Sequence, residues 1–278
     1  MSLSYSLQTG ISALKSFTSG LQAIGDNIAN VSTTGFKRAS VEYSDTFYNM
    51  LKGSISGNSN SSSQVGGGVS VANIKSVFDT EDATYTGLEN NIAIDGQGFF
   101  RVLDTTTGEE YFTRAGNFTR NSQGYLVTPE GYRVQGSSTL DGSNIYIPDT
   151  ATNPTSGQTE AISSWKFTPS TGQLSLYFSD GTAIEGGQLQ LSAFRDPTGL
   201  AKAGSNLYRQ TEAAGTRTDF LPSNTQLASV MSQYLEQSNV DLTTEFANMI
   251  STQRGFQAGS RIITTTDQLL QEAIQLKK

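Results

Sequence analysis

Two long segments without proline, one at each end of the chain, constrain the fold more than any other feature of the sequence. All six prolines lie between Pro129 and Pro222. Because proline breaks the interior of an α-helix, both ends are free to form long helices. In each end, apolar side chains recur every three or four residues, which is the period of a helix that buries one face.

The N-terminal apolar stripe follows the heptad period of a coiled-coil seam and continues for about four heptads. Its three glycines, Gly10, Gly20 and Gly25, each weaken an isolated helix by ~1 kcal/mol relative to alanine. A helix with these glycines therefore needs a packing partner to stay formed. The predicted seam residues of this segment are Leu3, Leu7, Ile11, Leu14, Leu21, Ile24 and Ile28.

The C-terminal segment has the same pattern. Asp241 is suited to cap the start of a helix, and Lys277 and Lys278 would lie at the negative end of its dipole. The predicted seam residues here are Leu242, Phe246, Met249, Phe256, Ile263, Leu270 and Ile274. Both seams could form the core of one monomer or pack between subunits of an assembly. Heptads at both termini favour packing between subunits.

The middle of the chain, from about Gly66 to Arg209, consists of short β-type runs separated by turn residues. Three Asp-Gly pairs, at 95–96, 141–142 and 180–181, are typical of tight turns. The predicted strands are Val69–Val77, Asn91–Ile94, Phe99–Leu103, Glu110–Arg114, Tyr125–Val127, Tyr132–Gln135, Ser164–Phe167, Gln173–Phe178 and Gln188–Phe194. This pattern predicts a compact all-β domain.

A run of Gly, Ser and Asn between Gly53 and Gly68 is typical of a flexible linker or an extended loop. The sequence thus predicts an α+β fold, in which antiparallel N- and C-terminal helices pair as a coiled coil and an all-β domain is inserted between them. The predicted organisation is a helical domain at 1–35 and 239–278, a linker or extended loop at 36–75, a β-rich domain at 76–225 and a return linker at 226–238.

The composition excludes several classes of function. The chain has no cysteine and no histidine, which removes thiolate chemistry, Ser-His-Asp catalysis and most zinc sites. The net charge of −7 without a basic cluster argues against nucleic acid, and no apolar run is long enough to insert in a membrane. Five carboxylates offer themselves for catalysis, but they lie beside turns or in exposed-looking runs: Asp95, Glu109, Glu110, Asp180 and Glu185. We predict no catalytic, cofactor-binding or metal site.

Four runs of residues resemble one known family. The run Asn27-Ile28-Ala29-Asn30-Val31-Ser32-Thr33-Thr34-Gly35-Phe36-Lys37-Arg38 resembles the N-terminal motif of bacterial flagellar rod and hook proteins. Ile92–Phe100 and Tyr111–Phe118 are similar to the central motifs of that family, and Leu235–Leu242 with Met249–Gln257 is similar to its C-terminal motif. The residues that carry the N-terminal motif are Asn27, Asn30, Thr34, Gly35, Phe36 and Lys37.

The resemblance implies a structural protein and not an enzyme. It implies that the paired terminal helices line a hollow helical tube of identical subunits, that the β-domain lies outside, and that the tube transmits torque. It implies further partners among the flagellar axial proteins, namely the rod, the hook cap and the hook–filament junction. It also implies an extracellular location in the flagellum, in the hook or the basal body, after passage through the type III export apparatus. The N-terminus does not have the pattern of a cleaved signal peptide, which agrees with that route.

Two assignments within this family are possible, the hook protein and the distal-rod protein. The tail residues Asn239–Leu242 and Gln253–Gln257 resemble the hook protein, so a short hook protein is the favoured interpretation. The length of 278 residues is closer to that of a distal-rod protein, which is the alternative. Two other classes are a secreted β-rich enzyme that acts on carbohydrate and a soluble binding module.

Overall fold

The computed structural model describes residues 2–46, 48–50, 64–138, 142–223 and 227–276. The chain divides into two compact units. The first, here called the helical unit, contains Met1–Val31, Arg38–Val77 and Val240–Lys278. The second, the β unit, contains Ser32–Lys37 and Phe78–Asn239. The fold is therefore α+β, as predicted.

The helical unit contains both long helices and four strands. Its elements are α1 Ser2–Ala29, β1 Ala39–Asp45, β2 Tyr48–Met50, β3 Gln64–Gly66, β4 Val69–Ser76 and α2 Leu242–Gln275. Strand β1 pairs with β4 and β2 with β3, both antiparallel. Asp241 caps α2, because its carboxylate accepts hydrogen bonds from the backbone N–H groups of Thr243 and Thr244. The N-cap prediction is thus confirmed, whereas Lys277 and Lys278 lie outside the described residues.

Strands β1 and β4 occupy part of the linker that the sequence predicted for residues 36–75. The pair packs against α1, where Asn27 brackets the backbone of Ala39: its Nδ2 donates to the carbonyl at 2.9 Å and its Oδ1 accepts from the N–H at 2.8 Å. Ser16 Oγ donates to the carbonyl of Val69 at 3.2 Å. The Gly, Ser and Asn run hid from the sequence analysis that its flanking segments pair with each other, and residues 53–63 of that run lie outside the described part.

Helices α1 and α2 pack antiparallel along each other, and the contact is made through glycine. A Cβ added to Gly10 would lie 2.9 Å from Cγ1 of Ile263, and one added to Gly255 would lie 2.9 Å from the ring of Phe17. At Gly259 an added Cβ would lie 3.4 Å from Leu14. The helices therefore approach more closely than alanine permits at Gly10 and Gly255. The glycines that weaken each isolated helix are what allow this contact.

The β unit is built from short strands, fourteen of which form one mainly antiparallel sheet in the described part of the chain. The strands β5 to β22 are, in order, Ala83–Tyr85, Ile92–Gly96, Phe99–Leu103, Glu110–Thr113, Thr119–Arg120, Leu126–Val127, Arg133–Ser138, Gly142–Asn144, Thr150–Thr152, Thr159–Phe167, Gln173–Phe178, Ala183–Leu189, Leu191–Phe194, Ala201–Gly204, Leu207–Arg209, Arg217–Phe220, Ala228–Ser232 and Tyr234–Glu236. Two further antiparallel pairs are β6 with β21 and β5 with β22.

The core of the β unit consists of alternating apolar residues from its strands. Its fully buried members include Phe100, Phe167, Leu174 and Leu176. The predicted strands overlap observed ones, but the predicted Gln188–Phe194 covers the end of β16 and the whole of β17. Asp180-Gly181 forms the predicted tight turn between β15 and β16, whereas Asp95-Gly96 lies in β6 and pairs with β21. Asp141 lies outside the described residues. The predicted return linker at 226–238 differs from the structure, since β21 and β22 lie in this segment and extend the β unit to Asn239.

The close contact between the helices gives a test on α1. Gly25 has no atom within 4 Å of an added Cβ, so Gly25→Ala should raise the free energy of unfolding of the helices by about 1 kcal/mol through helix propensity. Gly10→Ala gains the same propensity but forces Ile263 away, so it should be less stable than Gly25→Ala by about 1–3 kcal/mol. Urea unfolding followed by helical circular dichroism measures both; equal stabilities would show that the helices do not pack through Gly10.

The cap of α2 gives a test that depends on pH. The hydrogen bonds from Thr244 and Thr243 lower the pKa of Asp241 below its ordinary value of 3.8. A lowered folded-state pKa stabilises the fold above pH 3.8, and this contribution is lost as the pH falls through the folded pKa. The difference in unfolding free energy between the wild type and Asp241→Asn should therefore shrink as the pH falls below 3.8. A difference that is constant from pH 6 to pH 2 would contradict the cap.

Candidate assembly interface

The predicted seam of α2 lies mostly on the surface of the helical unit. The side of α2 that is turned toward α1 carries small and polar residues, and Glu245, Gly259 and Thr266 are the buried positions of this helix. Met249 and Ile263 are half-buried, whereas the other five seam residues are exposed: Leu242, Phe246, Phe256, Leu270 and Ile274. Since glycines make the closest contacts with α1, only Met249 and Ile263 of this seam are partly covered within the helix pair.

Six exposed apolar side chains of α2 and its C-cap lie on two faces, whereas the other three, Phe256, Leu270 and Ile274, lie within about 20° of Ile263 around the helix. Leu242, Phe246 and Ile250 follow each other at intervals of four residues and form one face. Ile262, Leu269 and Leu276 follow at intervals of seven and form the other. At 3.6 residues per turn, about 140° of rotation separates Phe246 from Leu269. Neither described helix is long and apolar enough to cross a membrane.

The seam of α1 is better covered. Five of its predicted residues are half-buried: Leu7, Leu14, Leu21, Ile24 and Ile28. Ile11 is 50% exposed, and the side chain of Leu3 lies outside the described part. The structure therefore brings the two helices together, but it leaves α2 as the more exposed of the pair.

Helix α1 ends within the N-terminal motif, and the following residues of the motif belong to the β unit. Asn30 closes the helix by donating to the carbonyl of Asp26 at 2.9 Å. Asn206 Nδ2 donates to the carbonyl of Thr34 at 2.8 Å. Gly35 has φ +66°, and a Cβ there would lie 2.6 Å from the backbone N of Ala115. Only glycine meets both the conformation and the close approach of the backbone.

Lys37, the last residue of this motif within the β unit, is fully buried beside two other charges. Its Nζ donates to Glu236 Oε1 at 2.6 Å and to the carbonyl of Asp79 at 2.5 Å. Glu236 Oε2 accepts from Arg114 at 3.2 Å, and Arg114 also donates to the carbonyl of Gly96 at 2.7 Å. Burial lowers the pKa of Lys37 below its ordinary value, and the Glu236 carboxylate opposes that effect. We call Lys37, Arg114 and Glu236 the charge cluster.

The charge cluster joins all three regions of the sequence that carry the family motifs. Lys37 belongs to the N-terminal run, Arg114 to the central run and Glu236 to the C-terminal run. Sequence analysis named Lys37 but missed Glu236, which pairs with it, and Arg114, which shares that carboxylate. The available signal was the few charges inside three otherwise weakly charged motifs, with signs that permit pairing.

The five carboxylates considered for catalysis all lie in the β unit, where three of them accept hydrogen bonds from neighbouring side chains and two lie in strands. Glu110 accepts from Arg217 at 2.5 Å, and Glu109 accepts from the hydroxyl of Tyr111 at 2.8 Å. Asp180 accepts from Asn153 and Thr182 in a turn. Asp95 lies in β6 and Glu185 in β16.

Three family models match successive parts of the chain. They are described as flagella basal body rod protein at residues 7–37, flagellar hook protein FlgE/F/G D1 domain at 93–163 and flagellar basal body rod FlgEFG protein C-terminal at 231–276. With the helical pair and the motif-linked β unit, these matches define the class: the chain belongs to the flagellar rod and hook protein family, which is structural and not enzymatic.

Within this family, the relatives that match over their whole length are rod proteins. The chain is 41% identical to the flagellar basal-body rod protein FlgG of Bacillus subtilis (strain 168), over 98% of the chain and 99% of the relative. It is 33% identical to FlgG of Caulobacter vibrioides, over 98% of each. The flagellar hook protein FlgE of Rhizobium meliloti is 38% identical, but over only 49% of the chain and 31% of the relative.

The comparisons overturn the preference for the hook and favour the alternative. The hook interpretation depended on short runs near the C-terminus, such as Asn239–Leu242 and Gln253–Gln257. Short runs are shared between related subunits, whereas agreement over the full length also includes the β unit. The family places the protein in the flagellum and implies that it polymerises with other axial proteins.

The backbone approach at Gly35 has a matched control in the β unit. Gly157 has nearly the same φ, +68°, but no atom within 4 Å of an added Cβ. Gly157→Ala should cost about 1–2 kcal/mol of unfolding free energy for its left-handed backbone. Gly35→Ala should cost about 1–3 kcal/mol more, because it also strikes the backbone of Ala115. Trp165, the single tryptophan, lies in the β unit and reports both by fluorescence during urea unfolding. Equal losses would exclude the close approach.

Proposed function

We propose that the chain is a distal-rod subunit of the flagellar basal body. Identical copies form a hollow helical tube that transmits torque, and other axial proteins continue the tube at both ends. The helical unit lines the tube, where α1 and α2 pair as a coiled coil. Export proceeds through the flagellar type III apparatus. The full-length similarity to rod proteins supports the rod over the hook.

One observation carries the assembly part of the proposal: α2 has two exposed apolar faces in addition to the side that packs on α1. Ile250 and Leu269 are each 53% exposed. Burial of a side chain of this size contributes about 1.5–3 kcal/mol, so large apolar side chains on two faces of one helix favour association. Because the two faces differ, a neighbouring copy meets each of them differently. Contacts of this heterologous kind do not close into a dimer and continue into a filament.

The predicted seam residues take separate roles in this proposal. The half-buried residues of α1, with Met249 and Ile263 of α2, hold the pair together within one subunit. The exposed residues of α2 pack against neighbouring subunits.

The two apolar faces give a test in a strain that lacks the chromosomal copy. The variants Phe246→Ser with Ile250→Ser, and Ile262→Ser with Leu269→Ser, each remove one face while helix propensity stays similar. Each pair should lose about 3–6 kcal/mol of contact per subunit, which corresponds to at least about a 100-fold weaker association. We expect rods in isolated basal bodies, counted by electron microscopy, to become rare, with swimming lost in proportion.

The control is Gln253→Ser with Gln257→Ser, which changes two exposed polar residues of the same helix at the same four-residue spacing. Immunoblots must show equal amounts of each variant in the cell. Normal rods in both face variants would exclude these faces from the assembly. The deletion strain itself separates the two positions in the flagellum: basal bodies without a complete rod support a rod subunit, and complete rods without hooks support a hook subunit.

A further inference from the structure

The chain passes between the two units at four points. These crossings follow Val31, Lys37, Val77 and Asn239. The β unit therefore holds a short inserted segment, residues 32–37, and its main part begins at Phe78 and ends at Asn239. Three stretches of the β unit therefore adjoin the helical unit along the chain: the inserted segment, the start of the main part and the end of the main part.

The buried ammonium of Lys37 contacts the other two stretches. It donates to the carbonyl of Asp79, one residue after the start of the main part. It also donates to the carboxylate of Glu236, three residues before Asn239. Backbone hydrogen bonds support the same arrangement, because Gly35 N–H donates to the carbonyl of Glu236 at 2.9 Å and Asn239 N–H donates to that of Phe36 at 3.4 Å.

The strands beside these crossings are short. Strand β22, Tyr234–Glu236, pairs with β5, Ala83–Tyr85, over only three residues. Glu236 is the last residue of β22, and Asp79 precedes β5. A pair of three residues has few hydrogen bonds to resist separation when either end is pulled. Lys37 bonds to the last residue of β22 and to the segment before β5, so it links the two strands at one end of this pair.

The charge cluster is a costly way to obtain stability alone. The side chains of Lys37, Glu236 and Arg114 are 0%, 1% and 3% exposed, and they contain two positive charges and one negative charge. In addition, Nε of Arg114 has no hydrogen-bond partner among the described residues. Desolvation of buried ions commonly offsets their attraction, so apolar residues of similar volume would hold a core at least as well. What the charges provide instead is a defined position for each of the three stretches.

We propose that Lys37 is a positioning residue whose ammonium clamps the three stretches of the β unit that lead into the helical unit. The clamp keeps the short β5–β22 pair from separating when force enters through these connections. That force acts on the connections depends on the proposed rod function. The contacts of Lys37 that form the clamp lie within the single chain.

Native-state proteolysis with trypsin tests the clamp on the purified full-length protein. Lys37→Met keeps the length of the side chain and removes the ammonium. The bonds that follow Lys37 and Arg38 lie directly after the clamp, and cleavage is followed by mass spectrometry of the sum of peptides that begin at Arg38 or Ala39, because the control keeps both tryptic sites. The control is a core variant, Ile145→Val or Val134→Ala, whichever matches Lys37→Met in the unfolding free energy that Trp165 fluorescence reports.

If Lys37 holds the connections, cleavage in Lys37→Met should be at least about fivefold faster than in the control of equal stability, because the segment opens without unfolding of the whole unit. A smaller ratio would mean that Lys37 only adds to general stability, and the clamp would be wrong. If Lys37→Met shows no cooperative Trp165 transition, Glu236→Gln takes its place, since it keeps the shape and one oxygen acceptor; the same ratio then decides.

The assay separates the clamp from the rod proposal because it involves no flagellum. A small cleavage ratio removes the clamp and leaves the rod proposal intact. Complete rods in the deletion strain would remove the rod proposal and leave the cleavage result standing.

Discussion

The contact of α1 with α2 through glycine determines what the rest of the helical unit can do. Gly10, Gly255 and Gly259 let the two backbones approach closely and receive Ile263, Phe17 and Leu14, so that most large apolar side chains of α2 are left out of the contact. Those side chains remain on the outside of α2, on faces that a neighbouring copy can cover. Small residues between the helices thus stabilise the single subunit and at the same time leave apolar side chains on its surface.

In the β unit, the family motifs have a structural explanation. Gly35 is required by a left-handed backbone and a close neighbour, and Lys37 by a buried carboxylate. The motifs are far apart in the sequence, yet their charged residues meet in one cluster. Residues of a structural protein can therefore be as narrowly defined as those of an active site, here because they fix where the chain enters and leaves a folded unit.

Much of the fold could be predicted because its signals are local. Apolar periodicity placed both helices, and alternating residues between turns placed most strands of the β unit. The exposed face of α2 could not be predicted, since a stripe of apolar residues does not reveal whether it packs within a chain or between chains. Strand β4 was predicted at Val69–Val77, but its partner β1 was missed because the pairing depends on contacts with α1. Glu236, which pairs with Lys37, and Arg114, which shares that carboxylate, are remote from Lys37 in sequence, so no local pattern contained the cluster.

The antiparallel course of the two helices has a practical consequence for labelling. The first residues of α1 lie beside the last turns of α2, so a fluorophore or tag fused to either terminus would crowd the same end of the helix pair. Tips of hairpins in the β unit offer better places. The turn between β13 and β14 carries Thr155, Ser156 and Gly157 in exposed positions, and an added Cβ at Gly157 meets no atom within 4 Å. A label at this turn would leave both helices free to pack.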